Sequence, residues 1–239
     1  MPCKKIANQS NNHDQLYNLD EILSKILLSN NVFQLFTKEY KHNKNFKNMI
    51  DEYIPEVAHC YNQTQRGKWH IYNVMDHILH SIDEINILTS TLSSQERKML
   101  AFVMFFHDLG KPSYHQIIEK NNEKYDSFKD HNLGSEKIAK KILPHLLFNE
   151  NEQKIILTLV REHDIFIKFS NNPINDWQLK PTKENLKNII SNFNQIGDGK
   201  KIFQYLILIG TADNKAQNPK MTKDSLEMIH NIQQKLKDI

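Results

Sequence analysis

The sequence is poor in the features of secreted and membrane proteins. Its 239 residues include two cysteines, Cys3 and Cys60, which have neither the spacing of a metal-binding pair nor the number of a disulfide framework. No apolar run approaches the roughly 18 residues that a membrane-spanning helix needs. The first residues, MPCKKIANQSNNHDQ, lack the apolar core of a secretory signal. We therefore expect a cytoplasmic protein that does not associate with a membrane.

Glycine and proline are also scarce, and the positive and negative charges of the chain nearly balance. Six glycines and seven prolines exclude collagen-like and low-complexity chains. With 39% hydrophobic residues, the chain can form one substantial domain. The net charge of +3 comes from dispersed lysines, so it permits a nucleotide or RNA partner without arguing for one.

Apolar residues recur at helical spacing along most of the chain, which predicts an all-α fold. Asp20 is expected to cap the first helix, and Ser93 and Glu96 have the spacing of a capping box. The other helices are predicted over residues 32–40, 50–61, 72–89, 132–143, 150–163, 183–193, 201–216 and 223–236, with one more leading from Ser93 into the segment 101–112. Residues 41–48 are predicted as a polar connector and residues 114–129 as a polar loop.

The segment 101–112, AFVMFFHDLGKP, places two polar residues at the end of an apolar helix. Burying an imidazole and a carboxylate there is costly unless both are paired or bind a metal. Gly110 and Pro112 then form an ordinary helix stop. The alternative is a helix that simply reaches the surface at its polar end.

Other predicted helices also deliver an imidazole or a carboxylate at an end or on a core face. The residues in question are His77, His107, Asp108, His131, His163 and Asp213. Any one of twelve histidines can fall at such a place by chance, but the recurrence favours one shared site. Imidazole and carboxylate without thiolate suit manganese, iron, cobalt, nickel, zinc or magnesium.

The order H…HD…D in this set resembles the signature of the HD-domain metal-dependent phosphohydrolases, and AFVMFFHDLGKP is similar to their most diagnostic segment. The segments GKWHIYNVMDHILHSI, FKDHNLGSEKIAKKIL and LVREHD further resemble the HD region of some CCA-adding tRNA nucleotidyltransferases. No strand-rich region with an acidic pair precedes the match, so CCA addition is not implied. The resemblance implies one HD-type helical bundle over residues 66–239, with its metal-site core at about 70–216, and an N-terminal helical extension over residues 1–65.

The resemblance also implies how the six residues are used. The ligands that it implies for one divalent metal are His77, His107, Asp108 and Asp213. His131 and His163 fall where two-metal members of the superfamily hold a second ion, with Asp108 bridging. The alternative is a single ion, with His131 and His163 as supporting or substrate-binding groups.

Several further residues are candidates for contact with a phosphorylated substrate. Lys111 follows the HD pair and can meet a phosphate oxygen as a point charge, although a solvated lysine fits nearly as well. The other candidates are Arg66, Lys68, His70 and His115. His80, His115 and Asp164 also fit a supporting or surface role. We expect residues 63–69, 113–130 and 166–181 to line the substrate pocket.

Together these observations predict a phosphomonoesterase or phosphodiesterase that acts on a nucleotide or on the phosphate at a nucleic-acid end. Metal-activated water would attack the phosphate, with Asp108 and Lys111 as catalytic residues. The expected partner is a phosphorylated small molecule, with an RNA end also admissible, and the oligomeric state is open. Two alternatives are a non-catalytic HD-type regulatory or RNA-binding module with a structural metal site, and a helical bundle whose histidines are incidental.

Overall fold

The computed structural model describes residues 19–120, 122–170 and 178–239, and helices dominate them. The α-helices are α1 (residues 19–27), α2 (Val32–His42), α3 (Lys44–Tyr53), α4 (Glu56–Asn62), α5 (Val74–Leu88), α6 (Ser94–Phe106), α7 (His131–Ile142), α8 (Glu150–Arg161), α9 (Lys183–Phe193), α10 (Gly199–Lys215) and α11 (Pro219–Leu236). Short 3₁₀ helices span Lys111–Tyr114, Leu143–His145 and His163–Lys168. The predicted all-α class with an N-terminal helical segment is confirmed.

Helix α6 lies in the middle of the hydrophobic core. Every residue from Met99 to Phe106 is buried, and the helix packs against α5 and α8. Helix α10 packs against α5, α9 and α11. Such burial is the main stabilising contribution in a domain of this size. No helix among the described residues is long and apolar enough to cross a membrane.

The helices before residue 63 pack into the same core as the rest of the chain, mainly through contacts of α2 and α4 with α5. The prediction that Asp20 caps α1 is wrong, because residue 19 is already helical. The Asp20 carboxylate is buried and accepts hydrogen bonds from Lys98 Nζ at 2.8 Å and from the Leu147 amide at 3.0 Å. Asp20 therefore fastens α1 to α6. Residues 1–18 lie outside the described residues, and the domain division at residue 65 stays a prediction.

The polar connector predicted over residues 41–48 is wrong in part, because α3 begins at Lys44. Asn43 ends α2, where its backbone N–H donates to the Glu39 carbonyl oxygen. Its side chain begins α3 by accepting the Phe46 amide at 3.1 Å. Phe46 and Ile50 supply the buried face of α3. Phe46 is the single apolar residue within 41–48, so this stretch shows no recurring apolar spacing from which a helix could be predicted.

The polar loop predicted over residues 114–129 contains a small antiparallel sheet. Its strands are β1 (Gln116–Lys120) and β2 (Glu123–Ser127), in a register that pairs Gln116 with Ser127. The β1 side chains described are exposed, and β2 is only half-buried. The strands therefore lack the apolar alternation by which a half-buried strand is recognised in a sequence.

The capping box predicted at the start of α6 is confirmed. The Ser93 hydroxyl accepts the Glu96 amide, and the Glu96 carboxylate accepts the Ser93 amide at 3.1 Å. Glu96 also accepts hydrogen bonds from Tyr205 Oη at 2.7 Å and from Lys201 Nζ at 2.9 Å. The box therefore connects α6 to α10 as well as starting α6.

Substitution of Glu96 should lower the stability of the fold in a pH-dependent way. Hydrogen bonds from Ser93, Lys201 and Tyr205 lower the pKa of Glu96 from 4.5 to about 2. The stabilisation is therefore fully present above the unfolded-state pKa and is lost as the pH falls towards 2. We expect Glu96→Gln to reduce the free energy of unfolding at neutral pH by about 1–2 kcal/mol, measured by urea denaturation.

The difference between Glu96→Gln and the wild type should shrink as the pH is lowered from neutrality to about 3. Glu227→Gln, at an exposed glutamate of α11, is the matched control and should change stability little at either pH. A pH-independent effect at Glu96 would contradict this interpretation.

Candidate metal centre

Helix termini bring the predicted metal ligands together around Asp108. His77 lies in the first turn of α5, and Asp213 lies in the last turn of α10. His107 ends α6 and Asp108 follows it in the turn. His131 is the first residue of α7, and His163 begins the 3₁₀ helix that follows α8. Because the chain turns at these positions, polar side chains from separate helices can converge inside an otherwise apolar bundle.

Gly110 allows the turn after Asp108 to approach α7 closely. A Cβ atom at this position would lie 2.4 Å from the His131 carbonyl oxygen and 2.5 Å from the Ser135 nitrogen. The Gly110 amide donates a hydrogen bond of 2.9 Å to Ser135 Oγ. Backbone atoms cannot yield to a side chain at such distances, so a glycine is required to bring His131 to Asp108.

One oxygen of Asp108 faces the first set of donors. His77 Nε2 lies 3.3 Å from Asp108 Oδ2 and 2.8 Å from Asp213 Oδ1. His107 Nε2 lies 3.3 Å from Asp108 Oδ2 and 3.6 Å from Asp213 Oδ1. These four residues offer donor atoms that all lie within 4.8 Å of one another.

The other oxygen of Asp108 faces a second set. His131 Nε2 lies 3.0 Å from Asp108 Oδ1 and 3.2 Å from His163 Nε2. His163 Nε2 lies 3.7 Å from Asp108 Oδ1. The carboxylate of Asp108 therefore stands between two groups of donors, with one oxygen towards each.

The backbone fixes which nitrogen each histidine presents to the centre. In all four rings Nδ1 contacts a carbonyl oxygen, and since a carbonyl only accepts, Nδ1 carries the proton. The carbonyl partners are Ala216 for His77 at 3.3 Å, Met104 for His107 at 2.6 Å, Phe128 for His131 at 2.8 Å and Val160 for His163 at 2.7 Å. In its neutral form each ring thus turns a bare Nε2 inwards, the arrangement typical of metal-binding histidines.

The inward atoms are short of hydrogen-bond donors. Bare imidazole nitrogens and carboxylate oxygens are all acceptors, and His77 Nε2 and His107 Nε2 are buried without a hydrogen-bond partner. Lys111 Nζ lies 2.7 Å from Asp108 Oδ2, and a divalent cation between the remaining atoms would pair them. Metal bonds of about 2.0–2.2 Å place neighbouring ligand atoms about 3.0–3.5 Å apart, close to the spacing found here. The donor set therefore fits divalent metal, and these residues could hold it.

When the cluster holds no metal, protons on some of its groups balance part of the negative charge of the carboxylates. Burial alone would lower the pKa of His107, but the charge and hydrogen bonds of Asp108 and Asp213 outweigh it and raise the pKa to about 10. Burial would raise the pKa of Asp108, but His107 and Lys111 hold it well below the usual range. In His163 burial prevails and lowers the pKa. Asp108 therefore stays ionised and available as a ligand.

Comparison with known protein families matches residues 70–203 to the HD domain, which is more than half of the chain. The chain belongs to the HD domain family. This is a superfamily of metal-dependent phosphohydrolases, although some HD domains are not catalytic. The match includes His77, His107, Asp108, His131 and His163. Asp213 lies beyond the matched residues and joins the others through the fold of α10.

The candidate metal centre opens on a cavity of about 990 Å³. All three segments expected to line a substrate pocket contribute to its walls, together with the facing sides of α10 and α11. Residues 171–177 of the third segment lie outside the described residues. The first half of α11 also contributes, through Asp224, Ser225 and Met228, and was not predicted from the sequence, because it carries no recognisable motif.

Four of the five predicted substrate-binding residues line this cavity, namely Arg66, Lys68, His70 and Lys111. Lys111 is buried, with Nζ 2.7 Å from Asp108 Oδ2 and 2.9 Å from Gln65 Oε1. Arg66 and Lys68 are exposed at the cavity wall. The imidazole of His70 lies against that of His77, and burial lowers the pKa of His70 to about 3.

His115 does not line the cavity. Its Nε2 lies 2.8 Å from Asp126 Oδ1, and its ring stacks on Phe128. The same Asp126 carboxylate is buried and lies 3.3 Å from the Arg66 guanidinium. His115 therefore helps to position Arg66 through Asp126, whereas a direct contact with substrate remains a sequence-based prediction.

Asp108→Asn should remove most of the metal-binding capacity of both donor sets, because the amide is neutral and presents one oxygen where the carboxylate presents two. Elemental analysis of the purified variant should show a large loss of metal relative to wild type, with the helical circular dichroism unchanged. Asp238→Asn, at an exposed acid paired with Lys183, is the control and should keep its metal. Full metal retention by Asp108→Asn would contradict the shared role of this carboxylate.

Proposed function

We propose that this HD domain hydrolyses phosphate esters of nucleotides with two divalent ions, one at each donor set of the metal centre. The main observation that supports this proposal is the position of Asp108. One oxygen of its carboxylate faces His77 and His107, and the other faces His131 and His163. Both sets adjoin a cavity of about 990 Å³, which falls in the range of small-molecule sites.

His77, His107, Asp108 and Asp213 would hold one divalent ion, and His131, His163 and Asp108 a second. When bound, such ions would supply a water molecule of lowered pKa as the attacking group at neutral pH. The chain provides the remaining parts of the reaction. The histidines and aspartates hold their positions through backbone carbonyls and helix termini, so little reorganisation is needed. Lys111 Nζ adjoins the centre beside Asp108 and can bind a phosphoryl oxygen.

An aromatic wall supports a nucleotide as the substrate. Phe166 lines the cavity and packs against Gly210, where a Cβ atom would lie 2.6 Å from the Phe166 ring. Its ring centroid is 6.3 Å from that of Phe169 and 6.1 Å from that of Phe203. Met228 extends this apolar wall. A fixed, partly exposed ring is a suitable platform on which a nucleobase can stack.

The residues that line the cavity and the metal centre also bear on the form of the substrate and on the identity of the ions. Lys68 and Lys129 are exposed lysines of the cavity wall, and they support an RNA end as an alternative form of the nucleotide substrate. The donor set contains only nitrogen and oxygen atoms, which supports manganese, iron, cobalt, nickel, zinc or magnesium as the ions.

The scarcity of cysteine supports a cytoplasmic location. We place the active domain at residues 66–239, with residues 1–65 as its extension.

The direct test is phosphate release from nucleoside mono-, di- and cyclic phosphates after removal of metal with a chelator and addition of manganese, cobalt, nickel or magnesium. We expect activity that the chelator abolishes and at least one ion restores. Lys111→Met should lower kcat/KM by about 10–100-fold while metal is retained, because a charge-assisted contact with phosphate is lost. Metal binding without turnover on any substrate would instead indicate a non-catalytic HD module.

Phe166→Leu should weaken the binding of nucleotides selectively. Loss of base stacking costs about 1–3 kcal/mol, so we expect KM to rise about fivefold or more. KM for ribose 5-phosphate, which has no base, should change little. Phe33→Leu is the matched control, because Phe33 is partly buried and stacks on His80 outside the cavity. An equal rise in KM for both substrates would contradict a base platform at Phe166.

A further inference from the structure

Asp164 extends the second donor set on its cavity side. It follows His163 in the first turn of the 3₁₀ helix His163–Lys168 and lines the cavity. Its Oδ2 lies 3.5 Å from His131 Nε2, and its Oδ1 lies 3.6 Å from His163 Nε2. The side chain is 34% exposed, in contrast to the buried donors beside it. Each carboxylate oxygen thus faces one of the two imidazole nitrogens.

Hydrogen bonding does not account for this position. Both rings use their Nδ1 protons for backbone carbonyls, those of Phe128 and Val160. When both rings are neutral, neither Nε2 has a proton to donate to Asp164, and the two carboxylate oxygens face two other acceptors. Such a contact is unfavourable unless a cation lies between the groups. An acid in the first turn of a helix is common for electrostatic reasons, but that preference does not direct its carboxylate towards two histidines.

The second donor set is also smaller than the first. Among the described residues, the first set has two imidazoles and two carboxylates, whereas the second has His131, His163 and one oxygen of Asp108. Divalent ions in proteins take four or more ligands. The separations of Asp164 from the two imidazole nitrogens lie within the range found between donors elsewhere in the cluster, where His107 and Asp213 are 3.6 Å apart.

We propose that Asp164 is the fourth protein ligand at the second donor set. The inference rests on the proposed function in requiring a second ion, and it goes further by assigning a carboxylate on the cavity side of that ion. Asp164 then strengthens binding at the weaker set with a charged oxygen in addition to two neutral imidazoles. Its partial exposure places this ligand on the side of the second donor set that faces the cavity.

The test is calorimetric titration of the chelator-treated protein with Mn²⁺, which requires no substrate. We expect two sites in the wild type. Asp164→Asn should leave the first site unchanged and weaken the second by about tenfold or more. Asp130→Asn is the matched control, since Asp130 is an exposed aspartate next to His131 on the same cavity wall. Asp130→Asn removes the same charge as Asp164→Asn from the same wall but removes no proposed ligand. This variant should therefore bind both ions as tightly as the wild type does.

Two results would overturn the assignment in distinguishable ways. If the wild type binds two ions and Asp164→Asn binds both equally well, Asp164 is a surface acid and the two-ion centre stands without it. If the wild type binds one ion and His163→Ala also binds one, the second site itself is absent, and the two-ion part of the proposed function fails together with the role of Asp164. Equal weakening by Asp164→Asn and Asp130→Asn would reduce the effect to general charge, which also overturns it.

Discussion

The buried carboxylate of Asp108 is the constraint on which the rest of the structure depends. An ionised carboxylate inside a hydrophobic bundle is very costly unless it is compensated, and in the absence of metal the compensation comes from Lys111 and from His107, whose pKa is raised to about 10. Asp108 also lies against the Nε2 atoms of His77, His131 and His163. Each imidazole is in turn oriented by a backbone carbonyl. The main chain therefore fixes the orientation of the four rings. Movement of one helix end would displace both an imidazole and the carbonyl group that orients it.

The hydrophobic core and the polar centre meet at the end of α6. The helix itself is buried from Met99 to Phe106, which fixes where His107 and Asp108 emerge. Gly110 then lets the chain pass against α7 with no space for a Cβ atom. Close packing of this kind explains how residues distant in sequence reach the same site with separations of 2.8–3.7 Å between their donor atoms. It also leaves the cavity side of the centre open to a ligand.

Much of this could be predicted from the sequence, because the signals were local. Ser93 and Glu96 have a defined spacing, and His107 and Asp108 interrupt an apolar helix. The hairpin could not be predicted, since the described side chains of its strands are exposed or half-buried and have no apolar alternation. Asp20 was misassigned because its partners, Lys98 and Leu147, are distant in the chain. The orientation of a carboxylate depends on such tertiary contacts and not on local propensity.

The most direct test of a two-ion centre at Asp108 is anomalous diffraction from crystals grown with Mn²⁺. The proposed centre predicts two peaks, one among His77, His107 and Asp213 and the other between His131 and His163, each next to an oxygen of Asp108. A single peak at the first set would reduce the centre to one ion and leave the second histidine pair as supporting groups. Absence of any peak near Asp108, with Mn²⁺ bound elsewhere or not at all, would contradict the metal centre itself.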